Sequence, residues 1–258
     1  MKHYLIAKNF LFFFILDMRI ESIKSAQYKP TIFQGNKAKM IAEKLSMRNF
    51  YAKPDSSEFV ALRNIYNNLW KKLDLPENLK PRLQYKAMFA DMSFSIENYM
   101  INVEKRLSPF KMNVRNKTGQ NEATLRHEIE HVRQIWDIIR LLGAEKAAKK
   151  ISQNNGGINF EITPSLLKKM KEIEKTLGRI HPNSEEGKRA QLYVDALDKY
   201  PDLSTYYGIL SIKELVKNIQ YRLNILEKNA RQVAKEYEPS LLKNIIISVK
   251  EFVKLLLL

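Results

Sequence analysis

A chain of 258 residues with 45% hydrophobic and 10% aromatic content has enough apolar side chain for a proper core, which excludes a disordered protein and fits one large domain or a small domain with appendages. The absence of cysteine excludes disulfides and thiolate ligands, so a metal would have to be held by histidine and carboxylate. The 44 Lys and Arg against 28 Asp and Glu leave a net charge of +16. The basic residues are spread along the chain without a dense cluster or a nucleic-acid signature, so a lysine-rich surface is the simpler account and nucleic acid is not the expected partner.

Residues 4–16 form an apolar run behind a basic start, as in a signal peptide. Lys8 interrupts the run, which is too short to span a bilayer, and Asp17, Arg19 and Glu21 stand where a small-residue cleavage site belongs. Neither a transmembrane span nor a cleaved signal is therefore expected, and a cytoplasmic protein is favoured; a working signal would place it outside the cell. Met18 is an alternative start. From Arg19 to Lys53 the chain is polar and basic with Pro30 and Gly35, which predicts an irregular arm over 1–54 and a domain over 55–258.

Asp55 with Glu58 resembles a capping box, and Phe59, Leu62, Ile65, Leu69, Trp70 and Leu73 continue a helical stripe. Pro76 and Pro81 mark a turn, after which Leu83 to Phe89 and Phe94 to Val103 predict a short sheet over about 83–103. Pro109, Asn113, Asn116 and Gly119 predict a loop. A helix is expected over about 121–142, started at Asn121 and Glu122 and stopped by Gly143. A short Ala/Lys segment and a break at Asn154-Asn155-Gly156-Gly157 follow, and residues 160–258 read as helical. Helices are predicted from Thr163-Pro164 to Gly178, from Ser184 to Tyr200 before Pro201, from Ser211 to Tyr237 on one continuous apolar stripe, and from Pro239 onward. The expected class is α+β, predominantly helical.

The helix over 121–142 carries His127-Glu128-Ile129-Glu130-His131, a motif of the form HExxH. Four residues apart on a helix, His127 and His131 project from one face, one turn apart, where two imidazoles can bind one Zn²⁺. Glu128 falls beside them, and a carboxylate there can take a proton from a water made acidic by the metal and later return it to a leaving amine. Leu125, Ile129, Val132, Ile135, Trp136, Ile139 and Leu142 give the helix an apolar back. The bland alternative is a charged, solvated helix face.

A catalytic zinc needs a third protein ligand. Asp137 stands six residues after His131, but Gln134 occupies the position where a glycine would have to turn the chain back. On a continuous helix Asp137 then points about 120° away and lies about 9 Å further along the axis. Glu227 is better placed, since Ala230 and Ala234 on the same side of its helix allow close approach. Glu185 and Glu186 are the reserves, and an ordinary boundary Glu on an amphipathic helix is the alternative reading of Glu227.

Here the chain resembles the gluzincin class of HExxH metallopeptidases, whose second zinc-binding helix carries ExxA, as in Glu227-Lys228-Asn229-Ala230. The resemblance covers about 90–240. It implies a zincin-like domain, zinc held by His127, His131 and Glu227, Glu128 as general base and acid, and a peptide or protein substrate pairing with an upstream edge strand, which Tyr99 to Val103 resembles. It also implies a Tyr or His that assists the reaction, for which His181, Tyr206 and Tyr207 are available. Two departures stand out: Glu227 lies 96 residues beyond His131, which implies an inserted helical segment, and Arg231 replaces an acidic residue that helps to orient a histidine in many members. The rival readings are a basic helical module for nucleic acid or an anionic surface, and a catalytically silent zincin.

Overall fold

The computed structural model describes residues 56–86, 92–104, 109–154, 160–199 and 220–257, all within the unit Arg48–Leu258. The expected arm over 1–54, Asp55, Tyr200, Tyr206, Tyr207 and residues 211–219 lie outside the described residues. The described elements are α1 (Ser57–Lys72), β1 (Arg82–Lys86), β2 (Met92–Ser95), β3 (Met100–Glu104), α2 (Pro109–Thr118), α3 (Gln120–Leu142), α4 (Ala144–Asn154), α5 (Pro164–Leu177), α6 (Glu185–Asp198), α7 (Ile225–Lys235) and α8 (Leu241–Leu257). The class is α+β and mostly helical, as expected. Among the described residues no helix is long and apolar enough to cross a membrane.

α3 is the axis of the fold. Packed against α1, α2, β2 and α4 to α7, it buries its apolar back and much of its remaining surface, including Arg126, Glu128, Glu130 and Gln134. Gly119 precedes it at φ +92° and Gly143 follows it at φ +84°, left-handed conformations that cost glycine nothing and let the chain turn sharply at both ends. Asn121 is therefore not the cap; buried within the first turn, its amide accepts from Arg115 Nε at 2.7 Å and donates to Asn116 Oδ1 at 2.7 Å.

The segment expected to be a loop before α3 is the helix α2. Pro109 stands at its first position, where the missing N–H has no partner to lose. Its asparagines gain tertiary bonds instead: Asn113 donates to Glu251 at 2.7 Å and Asn116 to the Glu58 carbonyl at 2.9 Å. α1 is capped by the Ser56 hydroxyl, which accepts from Phe59 N, rather than through Asp55.

The strand expected over 94–103 is two strands joined at a turn. β3 lies in the middle of the sheet, parallel to β1 and antiparallel to β2, with Phe94 opposite Ile101. Among the described residues the edges are therefore β1 and β2, and the Tyr99–Val103 stretch, paired on both sides, is not an edge. Tyr99 closes the turn at φ +52°, held there by its side chain: its hydroxyl donates to the Leu79 carbonyl at 2.7 Å and accepts from Trp136 Nε1 at 2.8 Å. Trp136 in turn meets Trp70 edge to face at 5.8 Å, so one aromatic column joins α1, the turn and α3.

The helix expected as one piece to Tyr237 is broken at Asn224, whose extended backbone ends the helical residues 220–223 and whose side chain caps α7 by accepting from Leu226 N. Leu223, expected on the buried stripe, is 72% exposed. α8 packs on α2, yet Leu241, Ile246, Val249 and Val253 from its expected stripe are exposed.

Tyr99→Phe should destabilise the protein by about 1–3 kcal/mol, because it strands the buried Trp136 N–H and Leu79 carbonyl. Urea unfolding checks this; an unchanged midpoint would show that the turn is held by ring packing alone.

Candidate metal centre

His127 and His131 project one turn apart from α3, as their spacing predicts, and α7 brings Glu227 to meet them. His131 Nε2 lies 3.1 Å from His127 Nε2. The Glu227 oxygens stand 3.5 Å from His127 Nε2 and 3.4 Å from His131 Nε2. All three ligand atoms lie within 4.8 Å of one another, so the group can hold a metal ion. Donors about 2.0–2.1 Å from one tetrahedral ion stand about 3.3 Å apart, a separation that the three observed distances bracket.

Glu227 reaches this place because α7 packs closely on α3. Ala230 is wholly buried and Ala234 nearly so, and their small side chains admit the approach. Asn224 sets the depth of α7: besides capping it, its Nδ2 donates to the Ala196 carbonyl of α6 at 3.0 Å.

Gln134 is the residue that joins the ligands, and the sequence reading used it only to exclude a glycine turn. Its Oε1 is 3.0 Å from His131 Nδ1, and its Nε2 donates to the carbonyl of Leu226, the neighbour of Glu227, at 2.9 Å. With Nδ1 of His131 donating to the amide, Nε2 is left free for a metal. This is the partner that the missing acidic residue at Arg231 left unassigned. Its signal was its position three residues after His131, on a neighbouring helical face.

Glu128 is buried beside the ligands, and its Oε2 accepts from Phe94 N of β2 at 2.6 Å. That N–H points to α3 rather than β3, so the outer edge of the sheet faces the site. Burial raises the Glu128 pKa above the ordinary carboxyl value, opposed by the two imidazoles and the Phe94 N–H. Tyr221, from the short helical stretch before Asn224, hydrogen-bonds Glu227 through its side chain; burial and the nearby carboxylates push its phenol well up. No periodicity could have found Tyr221, because the break at Asn224 lies between it and Glu227.

The other sequence candidates stand elsewhere. Asp137 faces away and pairs with Arg140 and Arg189. The reserve ligands do not reach the group: Glu186 pairs with Arg140 at 2.7 Å, and Glu185 pairs with Lys188 on the surface. His181 is an exposed residue of the loop before α6, its Nδ1 accepting from Asn183 N.

Without metal, His131 is pushed up to about 9. Burial works against its charged form, but the hydrogen bond with Glu227, the charges of Glu128 and Glu227 and the bond with Gln134 outweigh it. In the metal-free chain this stabilises the fold fully below about pH 6.5, the ordinary imidazole value, and the contribution is lost as pH rises through about 9. A metal ion must displace that proton. Calorimetry at pH 7 in buffers of different ionisation enthalpy should register about one proton released per metal bound, with affinity rising up to about pH 9; zero release would contradict the shift. Gln134→Leu should weaken metal affinity about 10–100-fold by chelator competition, and unchanged affinity would show that the bridge to His131 orients nothing. Comparison with protein-family models, with curated proteins and with solved structures gives no match, so the reading of this centre rests on its own geometry.

Proposed function

We propose that the chain is a zinc-dependent peptidase built on a zincin-like domain of the gluzincin type, with His127, His131 and Glu227 as ligands and Glu128 as general base and acid. The observation that carries this reading is the convergence of three ligand atoms beside a second buried carboxylate, Glu128, that is not among them. Two nitrogens and one oxygen, with no sulfur, match a catalytic zinc that keeps an open position. Zinc bound there supplies Lewis acidity and brings the pKa of water close to neutral.

The protein's own groups do the rest. Glu128 Oε2 is fixed by the Phe94 N–H, which leaves Oε1 to accept a proton from the attacking water. Burial raises the carboxyl pKa, so the protonated form can persist long enough to return the proton to the leaving amine. An extended peptide adds to the outer edge of β2, backbone to backbone, with its scissile carbonyl over Glu128. Among the described residues Tyr221 is the phenol at the site; with Glu227 engaged as a ligand, its one O–H would turn from that carboxylate to the charge developing on the carbonyl oxygen. A basic module for nucleic acid or an anionic surface has no use for two buried carboxylates against two imidazoles. A silent zincin has no use for a positioned Glu128.

Elemental analysis should find about one zinc per chain, lost in the His127→Ala, His131→Ala double variant; zinc retained unchanged by that variant would remove the ligand set. On peptides found by a library screen, Glu128→Gln should keep zinc and lower hydrolysis about 10²–10⁴-fold, and Tyr221→Phe should lower kcat about 10²–10³-fold. Full activity of the Gln variant would refute the role of Glu128.

A further inference from the structure

Beside the metal group a cleft of about 340 Å³ opens between the N-terminal half of α3 and the C-terminal half of α7. It is lined by Gln120, Thr124 and His127 of α3, by Arg231 of α7, by Asn244 of α8 and by Glu238 after α7. The geometry points to this cleft as the pocket for a substrate side chain that ends in a carboxylate, with Arg231 as the residue that selects it. The inference rests on the peptidase reading and specifies which peptides such an enzyme cleaves.

Among the described residues that line the cleft, Arg231 is the one Lys or Arg side chain. Two contacts hold its guanidinium in place: Nη2 donates to the Arg222 carbonyl at 2.6 Å, and the group lies over the Tyr221 ring at 5.8 Å. Among the described residues no carboxylate stands within ion-pair distance of it, and Nε and Nη1 have no partner. A held guanidinium with unused donors binds a carboxylate through charge-assisted bonds, with little further loss of side-chain freedom.

Asn244 supplies a second, independent sign of a ligand. Its Oδ1 is buried and has no hydrogen-bond partner among the described residues, a state that costs free energy. Half a turn of the amide puts the N–H₂ in the same place, as a donor to a carboxylate. Gln120 and Thr124 add neutral polar groups, and Glu238, the one anion among the described lining residues, is exposed and therefore screened by water. Because the cleft begins at His127, the side chain it receives belongs to a residue next to the scissile bond. The chain's +16 charge draws acidic peptides toward it.

The test uses the full chain loaded with zinc and matched peptides that differ only by Glu or Gln, and by Asp or Asn, at each position around the cleaved bond. Wild type should prefer the acidic member at one adjacent position by roughly tenfold or more, the scale of a charge-assisted bond. Arg231→Gln should bring that ratio close to one, and Asn244→Asp should lower it by repulsion, with unfolding midpoints showing that both variants fold. Binding of the same labelled peptides to zinc-loaded Glu128→Gln protein, read by fluorescence anisotropy, should show the same preference without turnover. Cleavage with no acidic preference, or a preference that Arg231→Gln leaves intact, overturns the role of the cleft while the peptidase reading stands. If zinc-loaded wild type cleaves and binds none of the peptides, both fail together.

Discussion

Glu227 is only 2% exposed, and a carboxylate removed so far from water must be compensated by charge or hydrogen bonds where it lies. The compensation comes from the two imidazoles of α3 and the Tyr221 hydroxyl, so the contact between α3 and α7 is dictated by electrostatics as much as by packing. Gln134 binds the two helices across this contact, with one end of its amide on His131 and the other on the backbone beside Glu227. A metal ion held at this point would take over the role of the His131 proton and so link the energetics of the fold to metal binding.

Rigid surroundings keep these groups in register. α3 is buried on nearly every side, and the column Trp70, Trp136, Tyr99 ties it to α1 and to the turn that aligns β2. Through Phe94 N, β2 grips the carboxylate of Glu128, so the strand edge and the proposed general base share one geometry. Ligands on helices and a base fixed by a strand would give the proposed centre little need of rearrangement to act.

The departure at Arg231 gains a meaning from the same contact. The resemblance implies an acidic residue there to help orient a histidine; here Gln134 meets His131 instead, and Arg231 stands on the cleft beside His127. On the proposed reading, one change of charge separates positioning a ligand from meeting a substrate.

The sequence by itself determined what is local. Helical periodicity puts His127 and His131 one turn apart in any fold, and the small residues after Glu227 mark a face that can approach another helix. Glycines 143 and 178 and the serine and threonine caps at 184 and 163 set helix ends through backbone conformations and side-chain bonds within one turn. The tertiary structure decided everything that needed a partner distant in the chain. Pro109 to Thr118 is a helix because Glu58 and Glu251 meet its asparagines, and the strand near 94–103 divides because Tyr99 finds Leu79 and Trp136. The helix before Glu227 breaks because Asn224 bonds across to Ala196. The pairing of Gln134 with Leu226 was equally beyond reach, since a hydrogen bond between residues 92 apart in sequence depends on how helices pack and leaves no periodic trace.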